Sequence, residues 1–176
     1  MRTFTLTAAA VAAAAVALPA AAQTWQDPSW TVSGGYSNLS TDGSDISLDA
    51  VTGRVGARFT PYFGAEGELS VGLGDEEVAP GVDVSLSYDA AVYAVGYVPV
   101  SPNLELFGRL GYGTTELDVS GAGVTLSEDG DSWNYGVGAN YFFDGLNGVR
   151  ADYTRRDFQD DGGEADVWTI NYVRRF

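Results

Sequence analysis

Residues 104–112 read Leu104-Glu105-Leu106-Phe107-Gly108-Arg109-Leu110-Gly111-Tyr112. Leu104, Leu106, Leu110 and Tyr112 share one parity with Gly108, while the charged Glu105 and Arg109 fall on the other. Side chains of a strand alternate between its two faces, so this stretch predicts a strand with one apolar face and one face that carries charge. The period recurs in Val51-x-Gly53-x-Val55-x-Ala57-x-Phe59 and in Trp168-x-Ile170-x-Tyr172-x-Arg174-x-Phe176. Eight such runs are read along the chain, at about 30–38, 47–60, 62–73, 83–98, 103–118, 131–143, 147–158 and 166–176.

Short turns at Pro61-Tyr62, Val100-Ser101-Pro102 and Asp144-Gly145-Leu146-Asn147 alternate with longer acidic links at 39–46, 74–82, 119–130 and 159–165. Proline and Asp/Gly/Asn pre-set the tight connections. Short turns at one end and long links at the other predict an up-and-down meander that closes on itself. The short turns recur about every forty residues, a spacing that propeller blades also show, but no Gly-His or Trp-Asp signature accompanies it.

The composition removes several chemistries. The 176 residues include no His and no Cys, which excludes a Ser-His-Asp triad, a thiolate nucleophile, a Cys/His zinc site and a disulfide framework. Nine basic residues, all Arg, against 24 acids give a net charge of −15, the wrong sign for a nucleic-acid partner. Residues 1–22 combine Arg2, an Ala/Val/Leu run and Ala20-Ala21-Ala22, the pattern of a secretory signal peptide. Its removal leaves a domain at 23–176 with eight Arg and 24 acids, a formal charge of −16. No stretch after residue 23 is long and apolar enough for a spanning helix.

Alternation does not say whether the apolar face meets a core, as in a soluble lipocalin-like binder, or lipid, as in a membrane barrel. Simple hairpin registers put Arg58 opposite Glu66, Arg54 near Glu68, Tyr97 facing Glu105, Tyr93 facing Arg109, Asn140 facing Arg150 and Gly138 facing Asp152. Arg54, Arg58, Glu66, Glu68, Glu105, Arg109, Arg150 and Asp152 then share the non-apolar face within a band of about 13 Å. Four Arg and four acids make that band neutral. A narrow closed barrel must pair the charges it points inward, whereas a solvent-facing surface has no need to balance them by height. Phe59, Tyr62, Phe63, Tyr97, Tyr141, Phe142 and Phe143 are assigned to the short-turn end, and Trp30, Trp133 and Trp168 to the long-link end, as two interfacial girdles. The expected fold is therefore all-β, an eight-stranded antiparallel up-and-down transmembrane β-barrel. Eight strands leave room for side chains and at most a narrow pore.

Leu106-Phe107-Gly108-Arg109-Leu110-Gly111-Tyr112-Gly113, Val149-Arg150-Ala151-Asp152-Tyr153 and the ending Tyr172 to Phe176 resemble the small eight-stranded outer-membrane barrels of the OmpA-like, OmpX-like and opacity-type group. Arg174 departs from that pattern, which has an apolar or aromatic residue there, and can snorkel at an interface. The resemblance implies location in the cell outer membrane of a Gram-negative bacterium and reading of the last strand, with Tyr172 and Phe176, by the barrel-assembly machinery. With the chain ending at Phe176, no peptidoglycan-binding domain is expected.

The expected work is structural, supporting envelope integrity. The alternative is a surface adhesin using the acidic links. Enzymes of this barrel type depend on a catalytic His, which the chain lacks, so no catalysis is expected. No cofactor is expected either, and the acidic links lack the spacing of a calcium loop. The expected partners of the monomer are outer-membrane lipids and lipopolysaccharide. Arg155 is placed on the lipid side, against a lipopolysaccharide phosphate, and Arg156 inward beneath the links.

Overall fold

The computed structural model describes residues 28–41, 47–79, 82–121, 124–159 and 163–176. The segment 1–22, read as a signal peptide, lies outside them. Nine strands are formed: β1 (Ser29–Thr41), β2 (Ser47–Arg58), β3 (Phe63–Gly72), β4 (Asp75–Ala79), β5 (Val82–Pro99), β6 (Leu104–Gly121), β7 (Val124–Phe142), β8 (Asn147–Phe158) and β9 (Glu164–Arg175). Consecutive strands pair antiparallel except β3 and β4, which both pair with β5, and β1 pairs with β9. The result is a closed eight-strand barrel, with β4 continuing the line of β3 along the outer part of β5. Closure leaves no open strand edge in the ring itself, as a lipid environment demands, while β4 and the outer part of β7 extend beyond it, each paired on one side.

The turns follow from local chemistry. Val100 N–H donates to Leu104 O and Phe143 N–H to Asn147 O, closing two of the tight connections. Asp144 accepts from the backbone N–H groups of Asn147 and Leu146 and from the Asn147 amide, which holds its carboxyl down to about 2. Gly145 beside it has φ of +81°, a left-handed conformation that glycine adopts without strain.

Alternation sorts the faces. Along β2, residues 48, 50, 52, 54 and 56 are buried while 49, 51, 53 and 55 are exposed. Val55, Leu69, Val92, Leu110, Val137 and Ile170 project outward as an apolar belt, so the buried interior is the polar side.

Several expectations need correction. The segment 119–130 is mostly strand: β6 and β7 stay paired from Gly113 opposite Ser132 up to Gly121 opposite Val124. Likewise β4 occupies part of 74–82, β1 reaches Thr41 and β9 begins at Glu164. Once register is fixed in the barrel wall, the ladder continues through sequence rich in acids and Gly. Trp30 lies at the short-turn end, opposite Ala57 and bonded to Phe176, because the first strand starts there. Tyr97 and Phe142 are buried inside and do not join the girdle, since their parity is inward.

Candidate functional site

Buried polar residues fill the lumen. In the middle layer Arg54 donates through Nε to Glu68 at 2.5 Å and through its two terminal nitrogens to Asp152 at 2.8 and 3.1 Å. Arg109 reaches Glu68 at 2.7 Å, Asp152 at 2.9 Å, Glu66 at 3.3 Å and the Thr154 hydroxyl. Arg150 grips Glu66 at 2.5 and 3.0 Å and Asp152 at 3.2 Å. Three guanidiniums thus meet three carboxylates, each side chain no more than 3% exposed. Bidentate geometry of this kind is what a planar guanidinium offers a carboxylate.

Towards the long-link end Arg156 is bonded to both oxygens of Asp89 and lies 3.3 Å from Glu68, while Thr115 donates to Asp89. Above this pair Leu39, Leu48, Ala50, Leu86, Ala165 and Val167 close the interior as an apolar cluster, with Phe158 packed against it. At the short-turn end Arg58 and Arg175 share Glu105, at 2.6 and 3.4 Å. Aromatic faces separate the layers: Arg58 lies over Tyr97, Arg109 over Tyr93, Arg150 over Phe107 and Arg175 over Phe142, at 3.8–4.3 Å.

All eight of the residues assigned inward from sequence point into the lumen. The first-hairpin pairing of Arg58 with Glu66 is different: Arg58 stands opposite Gly64 in the ladder and reaches Glu105 across the interior. The β5–β6 hairpin is shifted by two residues, with Tyr97 opposite Phe107 and Val95 opposite Arg109. Because the side-chain period is two, that shift leaves both faces unchanged. Arg54 opposite Glu68, Asn140 opposite Arg150 and Gly138 opposite Asp152 are neighbours in the ladder.

Asp89 and Arg175 are missing from the inward set read from sequence, although parity with Tyr93 on β5 and with Asn171 on β9 marks both as inward. The apolar cap had no such signal, since its residues converge from four strands, β1, β2, β5 and β9. Glu66 and Glu68 face guanidiniums on several sides, so both carboxylates are engaged as ion-pair acceptors.

Arg155 projects outward on β8, bonded to Glu164 and, at 2.9 Å, to Asp166. Tyr172 and Phe176 also face outward, and Arg174 lies over the Phe176 ring. Tyr172 donates to Asn147 at 2.5 Å. Among the described residues no group of three or more carboxylates is gathered to hold a metal ion.

Charge is distributed unevenly along the chain. Segments 42–49, 75–83, 116–131 and 157–166, in and beside the long links, hold three, four, five and five acids and no Arg, seventeen of the chain's 24 acids.

The attachment invasion locus protein Ail of Yersinia pestis, in complex with the heparin analogue sucrose octasulfate, superposes with a TM-score of 0.64 at 20% identity, over 86% of this chain and 100% of that one. Neisserial surface protein A gives 0.67 at 10% identity over 88% and 100%. The N-terminal β-barrel domain of Pseudomonas aeruginosa OprF gives 0.63 at 13% identity over 85% and 98%. These likenesses establish a shared fold. No curated protein matches the sequence. The family model for the outer membrane protein beta-barrel domain matches residues 6–176, and with it the chain belongs to that family of outer-membrane barrels.

Proposed function

We propose that the protein is a structural component of the outer membrane, a closed barrel that supports envelope integrity and passes no large solute. The observation that carries this reading is the filled interior: buried ion pairs in the middle, beneath an apolar cap of Leu39, Leu48, Leu86 and Val167. An ion crossing it would have to displace buried Arg–carboxylate pairs and then pass the apolar cluster, and both steps are costly.

In this reading the segment 1–22 is cleaved on export, and the barrel-assembly machinery recognises the last strand through Tyr172 and Phe176. The short turns face the periplasm and the acidic links face the outside. Outer-membrane lipids surround the monomer, and Arg155 meets a lipopolysaccharide phosphate by loosening its pairs with Glu164 and Asp166. No catalysis is ascribed to it.

The test is single-channel conductance of the refolded barrel in a planar bilayer, beside a variant whose cap is opened by Leu48→Ala and Leu86→Ala. A silent parent barrel that inserts normally is expected, with leak appearing only in the variant. Steady conductance of the parent would overturn the reading.

A second reading, a surface adhesin, is favoured by the long paired reach of β6 and β7. Their ladder runs nine residues beyond Tyr112, about 30 Å, and so offers a stiff surface for contact. Its partner would have to be cationic. A polyanion of the kind bound to Ail would instead meet seventeen acids in segments that contain no Arg.

A further inference from the structure

The three charged layers of the lumen differ in balance. Arg156 with Asp89 is one to one, and the middle layer is three to three. At the short-turn end two guanidiniums, Arg58 and Arg175, share the single carboxylate of Glu105, which leaves one positive charge over among the described residues. One Arg would suffice to neutralise Glu105. A second, partly buried cation adds desolvation cost without a partner, so a purely structural plug gives no reason to keep it.

These residues line a cavity of about 240 Å³ between the inward faces of the strands and the turns at Pro61 and Pro99–Asn103. The turn groups around it are already engaged: Ser101 Oγ accepts from the N–H of Leu104, and the Asn103 amide donates to Phe142 O. Arg58 and Arg175 each commit one terminal nitrogen to the same Glu105 oxygen. The Nε of Arg175 is buried with no hydrogen-bond partner. Tyr97 and Phe142 support the two guanidiniums from below by ring stacking, which fixes the planes of both forks.

We propose that this mouth is a binding site for a small oxyanion, a carboxylate or a phosphate, held between Arg58 and Arg175. Two pre-oriented forks with spare N–H donors and a net positive charge fit an oxyanion and repel a cation. Placing the mouth in the periplasm rests on the orientation proposed above, whereas the binding itself does not. The occupant is either a free anion or the carboxylate end of a peptide.

The test is an NMR titration of the full chain refolded in zwitterionic micelles, at fixed ionic strength set with chloride. Inorganic phosphate is used in one arm and acetyl-D-alanyl-D-alanine in the other, following the amides of Ser101, Asn103, Leu104 and Glu105. Saturable shifts with phosphate alone identify a free-anion site, and with the peptide alone a site for a terminal carboxylate. With both, the site is a general oxyanion site.

Arg175→Gln is expected to weaken binding at least tenfold, while Glu105→Gln, which raises the mouth to two positive charges, tightens it. Opposite changes of this kind do not arise from general loosening of the barrel. Absence of shifts in both arms, or equal binding by Arg175→Gln and the parent, would overturn the proposal.

Discussion

Arg109 is bonded to Glu66, Glu68, Asp152 and Thr154 in an interior from which water is nearly excluded. Removing one member of such a network leaves the others buried and under-compensated, typically at a cost of about 3–5 kcal/mol. Arg155 also holds two carboxylates, but on the outer surface, where a partly exposed pair contributes about 1 kcal/mol or less. Arg109→Ala is therefore expected to lower the urea midpoint of the refolded barrel well below that of Arg155→Ala. Equal midpoints would mean that the middle layer adds little to stability. Both arginines read alike in sequence, each two residues after an aromatic and three before another, and only strand parity separates them.

At the scale of the strand, small inward residues make room for large ones on the adjacent strands. A Cβ at Gly138 on β7 would lie 2.5 Å from the Phe107 ring and 2.6 Å from the Asp152 Cβ. Gly53 on β2 faces outward with nothing within 4 Å of that position. Gly138→Val is expected to deplete the heat-resistant folded form on unboiled gels, as overpacking of a filled core typically costs about 1–3 kcal/mol, while Gly53→Val leaves it unchanged. A normal folded band for Gly138→Val would show that Phe107 can move aside. The same elements mark where composition misleads: the acidic run 124–130 reads as part of a link, yet it is the outer part of β7 and pairs with β6 throughout.

For the whole molecule, the dominant feature is its uneven charge, with seventeen acids in and beside the long links and the Arg-bearing mouth at the short-turn end. The absence of cysteine makes single-cysteine probes clean. A membrane-impermeant maleimide applied to intact cells is expected to label Ser44→Cys, in the link between β1 and β2. Leu146→Cys, in the turn between β7 and β8, should react only after the cells are broken. The reverse pattern would invert the orientation and put the oxyanion mouth on the cell surface.

The sequence by itself determined the period of two, the alternation of short turns with acidic links and the inward parity of Arg54, Arg58, Glu66, Glu68, Glu105, Arg109, Arg150 and Asp152. Those properties are local, set by which face each successive side chain takes. Only the tertiary structure decided that Arg58 reaches Glu105 and not Glu66, that Leu39 and Leu86 meet in a cap, and that Arg175 joins Arg58 over one carboxylate. Those contacts cross the lumen between strands that are not ladder neighbours. Their geometry exists only once the sheet has closed with a particular stagger, which no single hairpin specifies.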